Sequence, residues 1–272
     1  MQEENILFQH EVKEYLFDSG FGETDRFFLA GGRPYHKVGE DIFIAAAAFD
    51  VRGADFTNRE DFLAIVAELA KMHRILEDVK FSAKPQRRMQ AAAPDKACEV
   101  LAGYRKKLMK AGKFSEFDML FLKAFEKFEP KMAAWAGFPK DILGNNKYIC
   151  HNLLKEENIY MGDRPIFTNF GMAGHGHYLH DLVYIVKRYL KIQPQGDLPL
   201  GDILKAYETH HPMQDFDIDF FAAMLSYPDK FVKLTNDYYS KKRSFAPKTY
   251  LARMEECLTR GQALEDYLRN EG

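Results

Sequence analysis

From Asn58 onward the apolar residues recur at helical spacing, and this pattern breaks into strand-like runs only around Tyr148–Cys150 and Pro165–Thr168. That constrains the chain more than any other feature, because a helical pattern sustained over most of a sequence demands a mainly helical body. Asn58 is placed to cap a helix carrying Phe62, Ile65, Val66, Leu69 and Met72 on one face. Further helices are predicted over 95–111, 115–136, 179–192, 200–209, 215–226, 228–241 and 248–269. Residues 82–94, with two prolines, paired arginines and an alanine run, read as a connection. Ahead of this body, residues 6–19 read as an amphipathic helix ended by Gly20 and Gly22. Arg26–Ala30, Pro34–Val38 and Asp41–Phe49 then form a small antiparallel meander by their Gly31-Gly32 and Gly39-Glu40 turns. The expected fold class is α+β: a small mixed lobe over 1–52 and a large, mainly helical lobe over 53–272.

Composition narrows the function classes. Hydrophobic residues at 46% supply enough apolar mass for a buried core, which excludes general disorder. Lysine plus arginine (38) nearly balances aspartate plus glutamate (40), for a net charge of −2, so no basic surplus draws the chain to nucleic acid. Cys98, Cys150 and Cys257 are odd in number, widely spaced and without a CxxC, which fits free thiols in a reducing compartment. The acidic start Met1-Gln2-Glu3-Glu4-Asn5 lacks a signal peptide's basic start and apolar run. The apolar stretch Ile42–Phe49 is far short of the roughly 18–20 residues that span a bilayer. The expectation is a cytoplasmic protein without a membrane partner.

The chemistry-bearing segment runs Tyr148-Ile-Cys-His151-Asn-Leu153-Leu-Lys-Glu-Glu-Asn158-Ile-Tyr160, then Ile166-Phe-Thr-Asn169-Phe170-Gly171. A strand, a polar loop, a strand and a polar turn is the order in which kinase-like folds present catalytic and metal-binding groups. His151, Asn158, Asn169-Phe170 and Asp181-Leu182 together resemble the aminoglycoside-phosphotransferase/choline-kinase type of the protein-kinase-like fold. More narrowly, the chain resembles CotS-type spore-coat proteins. Phe56–Phe62 leading to Leu69-Ala70-Lys71-Met72-His73 is similar to that family's first large-lobe helix, Phe49–Asp55 to its hinge, and Leu225–Phe231 with Asn236, Tyr238-Tyr239 and Lys241-Lys242 to its C-terminal stretch. The similarity runs from roughly residue 10 to the end.

The resemblance implies specific departures. Leu153 stands where the family has its catalytic Asp, and it can neither accept a proton nor orient a hydroxyl; loss of a general base alone costs about 10²–10⁴ in rate. Asn169 stands where the magnesium-binding Asp is expected, and the remaining ligand candidate, Asn158, is also a neutral amide. The chain starts near the helix that follows the family's phosphate-covering loop and lysine strand, an N-terminally truncated small lobe; Lys13 and Lys37 are not in a strand preceding that helix. His151 and Asp181 correspond to residues that brace the loop. The resemblance therefore implies a pseudokinase with no catalytic residue at the degenerate Leu153 site. His151, Asn158, Asn169 and Asp181 remain its candidate nucleotide-site residues, with no metal and no cofactor expected. Its partners would be other spore-coat or sporulation proteins, after synthesis in the cytoplasm and deposition in the coat. The alternatives are a small-molecule phosphotransferase using ATP and magnesium, with Glu156, Glu157 or Asp163 replacing lost groups, or nucleotide binding without turnover.

Other features read more plainly. Gly174-His175-Gly-His177-Tyr-Leu-His180-Asp181 has metal-ligand residue types in a glycine-broken loop, a poor geometry for a metal, and Asp181 is expected to brace. His210-His211 is expected to cap a helix end. Arg87-Arg88 and Lys241-Lys242-Arg243 are expected to be solvated basic clusters. Cys150 and His151 neighbour each other on a strand and so point to opposite faces, against a nucleophile pair.

Overall fold

A computed structural model describes residues 3–85, 94–139, 147–194, 196–240 and 245–270. Arg87-Arg88, Lys241-Lys242-Arg243 and most of the 82–94 connection lie outside the described residues. Chain contacts divide the protein into two compact units, residues 1–90 with 140–214 and residues 91–139 with 215–272. The boundary expected at residue 52 falls within the first unit.

The first unit opens with α1 (Glu3–Asp18), followed by short strands β1 (His36–Val38), β2 (Asp41–Phe43) and β3 (Arg52–Gly53), and then α2 (Arg59–Ile75). After the excursion into the second unit come β4 (Tyr148–Cys150), β5 (Ile159–Met161), β6 (Pro165–Phe167), β7 (Gly174–Gly176), α5 (Leu179–Ile192) and α6 (Leu200–Glu208). Two one-turn 3₁₀ segments, Glu156–Asn158 and Phe170–Met172, lie between them. The meander is thinner than its sequence suggests. β1 and β2 pair antiparallel with Lys37 opposite Ile42, while Arg26–Ala30 contributes only isolated bridges, Phe27 to Ala46 and Ala30 to Arg33. The predicted strand Asp41–Phe49 is regular only to Phe43. Ile6, Phe27 and Tyr35 nevertheless close a small core with Ile42 and Ala46.

Asn58 caps α2 as expected: its Oδ1 accepts from the N–H groups of Glu60 (2.9 Å) and Asp61 (3.1 Å), filling two of the donors a helix start leaves open. The α2 stripe Phe62, Ile65, Val66, Leu69 and Met72 is wholly buried. Each such side chain contributes about 1.5–3 kcal/mol by leaving water, which fixes α2 as the spine of this unit. The hinge-like Arg52–Gly53 forms β3 and joins β5 and β6 in a three-stranded sheet, with Arg52 opposite Met161 and Gly53 opposite Tyr160. β4 pairs with β7, setting Ile149 opposite His175 and Cys150 opposite Gly174.

The second unit is helical: α3 (Pro94–Ala111), α4 (Glu116–Ala136), α7 (Asp215–Ser226), α8 (Asp229–Tyr239) and α9 (Pro247–Asn270). Ser115 starts α4 with a capping box, its hydroxyl accepting from the Asp118 N–H while the Asp118 carboxylate accepts from the Ser115 N–H. The aromatic face of this helix is its core, since Phe117, Phe121, Phe125, Phe128, Met132 and Trp135 are all buried. Gly261 of α9 lies so close to the Phe128 ring that a Cβ would sit 2.6 Å from it. Among the described residues no helix is long and apolar enough to cross a membrane.

Candidate functional site

The polar loop between β4 and β5 is built on one carboxylate. Asp181, in the first turn of α5, has 0% of its surface exposed, and it accepts from the backbone N–H groups of His151 (2.6 Å) and Asn152 (2.8 Å). A third donor, His73 Nε2, comes from α2 at 3.1 Å, and His73 Nδ1 lies 2.7 Å from the Tyr207 hydroxyl of α6. Burial alone would raise the pKa of Asp181, but the His73 hydrogen bond, the two neighbouring imidazoles and the Asn152 N–H together hold it below the ordinary carboxylate value. A carboxylate kept ionised in an apolar interior and turned onto two backbone donors is a brace. That is the role its sequence position suggested.

His151 is equally buried and has a single consistent tautomer. Its Nε2 faces the Thr168 carbonyl at 2.9 Å, which can only accept, so the proton is on Nε2; Nδ1 then accepts from the Leu153 N–H at 3.2 Å. Burial pushes its imidazole toward the neutral form, against the pull of Asp181. Both nitrogens are committed to the loop's own backbone, and His151 is a second brace. Asn152 takes the left-handed conformation at φ 62°, one that asparagine tolerates better than most residues, and its Nδ2 donates to the Met172 carbonyl at 3.0 Å.

The two candidate metal ligands meet. Asn158 Nδ2 donates to the Leu153 carbonyl at 2.8 Å, which fixes the amide's orientation because a carbonyl cannot donate. Its Oδ1 therefore faces Asn169, whose Nδ2 donates to it at 3.2 Å. Asn169 is also left-handed, at φ 61° and ψ 59°. Leu153, whose backbone N–H and carbonyl both serve these contacts, offers no acidic group. Glu156 pairs with Arg188 at 3.4 Å and Glu157 with Lys155 at 3.3 Å.

Sequence reasoning missed a carboxylate at the Asn169 turn. Asp25 Oδ2 accepts the Asn169 backbone N–H at 3.0 Å, while Asp25 Oδ1 is ion-paired to Lys13 Nζ at 2.8 Å. Lys13 is fully buried in α1, also donates to the Asp25 carbonyl at 2.9 Å, and stands 3.8 Å over the Phe27 ring. Burial lowers its pKa more than Asp25 restores it. α1 holds the same turn a second way, through Asn5 Nδ2 and the Gly171 carbonyl at 3.2 Å. The signal available in sequence was a lysine among the apolar positions of an otherwise amphipathic helix.

A divalent cation is what the fold implies at this turn. Magnesium is bound through carboxylates in near-octahedral oxygen geometry. Here the Asn158 oxygen is spent on an N–H of Asn169, the second amide turns its nitrogen toward it, and Asp25 is already neutralised by an ammonium group. The donor set does not fit the ion. A second group, His73, Cys150 and Asp181, brings ligand atoms within 4.8 Å of one another. It too is committed, with Asp181 on its brace and the Cys150 thiol 3.4 Å from the His177 carbonyl and held protonated by burial. His175, His177 and His180 do not form part of that group; His177 Nδ1 instead accepts from the Leu179 N–H at 3.3 Å. His210 and His211 follow the end of α6 as expected, their backbone N–H groups on the Tyr207 carbonyl at 3.3 and 3.2 Å, and the His211 ring is buried 4.3 Å from Tyr178 and 5.6 Å from Tyr207.

No protein-family model and no curated protein matches the sequence. Solved structures do. An aminoglycoside phosphotransferase from Alicyclobacillus acidocaldarius superposes with a TM-score of 0.78 at 13% identity, over 100% of this chain and 83% of that one. Spectinomycin phosphotransferase in its AMP-bound complex gives 0.62 at 15% identity over 100% and 85%. Amicoumacin kinase, solved with AMP-PNP and Ca²⁺, gives 0.59 at 14% over 97% and 78%. The fold is that of the aminoglycoside phosphotransferases within the kinase-like group, with a small N-lobe and a helical C-lobe.

Proposed function

We propose that this kinase-like chain performs no phosphoryl transfer and works as a structural or interaction component, in the spore coat or a sporulation assembly of the kind its CotS-like motifs suggest. The carrying observation is the amide–amide bond between Asn158 and Asn169 beside Leu153. It joins, within the protein, the two positions at which related folds would hold a metal, next to a residue without a proton acceptor. The braces His151 and Asp181 keep the loop's shape, and shape is what an interaction protein must preserve. Its partners would be other coat or sporulation proteins, met after synthesis in the cytoplasm; nucleic acid and membrane are not among them.

A second reading is favoured by the superposition on three antibiotic-modifying phosphotransferases: an ATP- and magnesium-dependent small-molecule kinase. Titration calorimetry with ATP, with and without magnesium, separates the two. Absence of heat in both supports the scaffold. Binding followed by phosphorylation of any amino-sugar or polyol overturns it. Binding that is equally tight without magnesium, and without turnover, would mark a nucleotide-regulated scaffold.

A further inference from the structure

The poor fit between the Asn169 turn and a divalent ion has a counterpart within α1. The turn Asn169-Phe170-Gly171 contacts two groups from the first 25 residues: Asn5 on the Gly171 carbonyl and Asp25 on the Asn169 N–H. Asp25 is only partly exposed, and the oxygen it does not turn to Asn169 faces a positive charge. Lys13 supplies the charge from the far side of the carboxylate, 2.8 Å from the oxygen that does not bind Asn169. Its ammonium group is closed in by Asp25 and by the Phe27 ring at 3.8 Å, with the Phe170 ring of the turn itself at 5.8 Å. A cation, a bridging carboxylate and the turn thus stand in line, and the cation is covalently part of the protein.

We propose that Lys13 is a tethered cation: through Asp25 it holds the Asn169 turn in its left-handed conformation, where related folds would use a dissociable metal ion. The turn's shape then requires no ligand and does not vary with nucleotide or metal concentration. Lys13 is a positioning residue in this scheme, acting through Asp25. The inference goes beyond the non-catalytic reading, and its readouts do not depend on turnover, so either can fail alone.

The test is amide hydrogen exchange, read at the Asn169 N–H, in the full chain. Lys13→Ala is expected to speed exchange at Asn169 by about tenfold or more, since its acceptor loses its counter-charge, while β4–β7 amides change only with global stability. Asp25→Asn, close in volume, is expected to do the same, and it serves should Lys13→Ala fail to fold. In Lys13→Ala, added Mg²⁺ or Ca²⁺ is expected to slow Asn169 exchange again. In the native protein and in Lys13→Ala/Asp25→Asn the same ions should have no effect. Unchanged exchange at Asn169 in either single variant overturns the proposal. So does an Asp25-dependent metal response in the native protein, or no metal response in Lys13→Ala.

Discussion

Replacing Asp181 tests the brace most directly. In Asp181→Ala three donors lose their acceptor at once: the N–H groups of His151 and Asn152 and Nε2–H of His73, at 2.6, 2.8 and 3.1 Å. Each unsatisfied buried donor costs about 1–3 kcal/mol, but the loop can relax toward water at Asn152, so a net loss of about 4–5 kcal/mol is expected. Asp181→Asn keeps the shape and one accepting oxygen, yet turns an NH₂ toward at least one of the same donors; about 2–3 kcal/mol is expected. Urea unfolding supplies the values. Acid titration supplies the sign: the folded carboxyl is held below its ordinary value of 3.8, so the folded state binds fewer protons than the unfolded one in that range. Its contribution is fully present above pH 3.8 and is lost as the pH falls through the lower folded value. The Asn variant should therefore lose part of the native protein's acid limb. A cost below about 1 kcal/mol for Asp181→Ala would refute the reasoning, because no brace of three buried hydrogen bonds could be so cheap.

Further outcomes can be checked independently. His151 is held toward its neutral form, so its contribution is present above its ordinary pKa of 6.5 and declines as the pH drops below it; a variant carrying His151→Gln should lose that slope in chemical unfolding. Tyr227 is pushed up to about 12 by burial, so stability should fall between pH 10 and 12, and the decline should be absent in Tyr227→Phe. Gly261→Ala places a Cβ 2.6 Å from the Phe128 ring; despite alanine's better helix propensity, a net loss of about 1–2 kcal/mol is expected by thermal unfolding. Leu153→Asp with Asn169→Asp should leave phosphorylation assays blank, since the new carboxylate at 169 would face an amide oxygen and stand beside Asp25; turnover would show that the site was disabled by those two residues alone.

The helices were legible because their signals are local. Asn58 and the apolar stripe of α2 announce a start and a face, and Ser115 three residues before Asp118 does the same for α4. Strand lengths were not legible. Whether Arg26–Ala30 or Ala45–Phe49 completes a ladder depends on where its partner lies, and the alanine run Ala45–Ala48 carries little information about pairing. The site divides in the same way. Its loop order and the bracing role of Asp181 were visible, whereas the partners His73 and Tyr207 stand 108 and 134 positions from the groups they bond, and no spacing rule joins them. The pairing of Lys13 with Asp25 was not legible because a nucleotide lysine is expected on a strand, and this lysine lies on a helix.

The β4–β5 loop is suspended from its backbone. Asp181 grips main-chain N–H groups, His151 a main-chain carbonyl, and Asn158 another, so the path of the loop is set through its backbone, with Leu154 buried beneath it. A loop held in this way can change its chemistry without changing its shape. Leu153 and Lys155 are only partly buried and their side chains make none of these grips, so substitutions there alter what the loop presents while its path stays held.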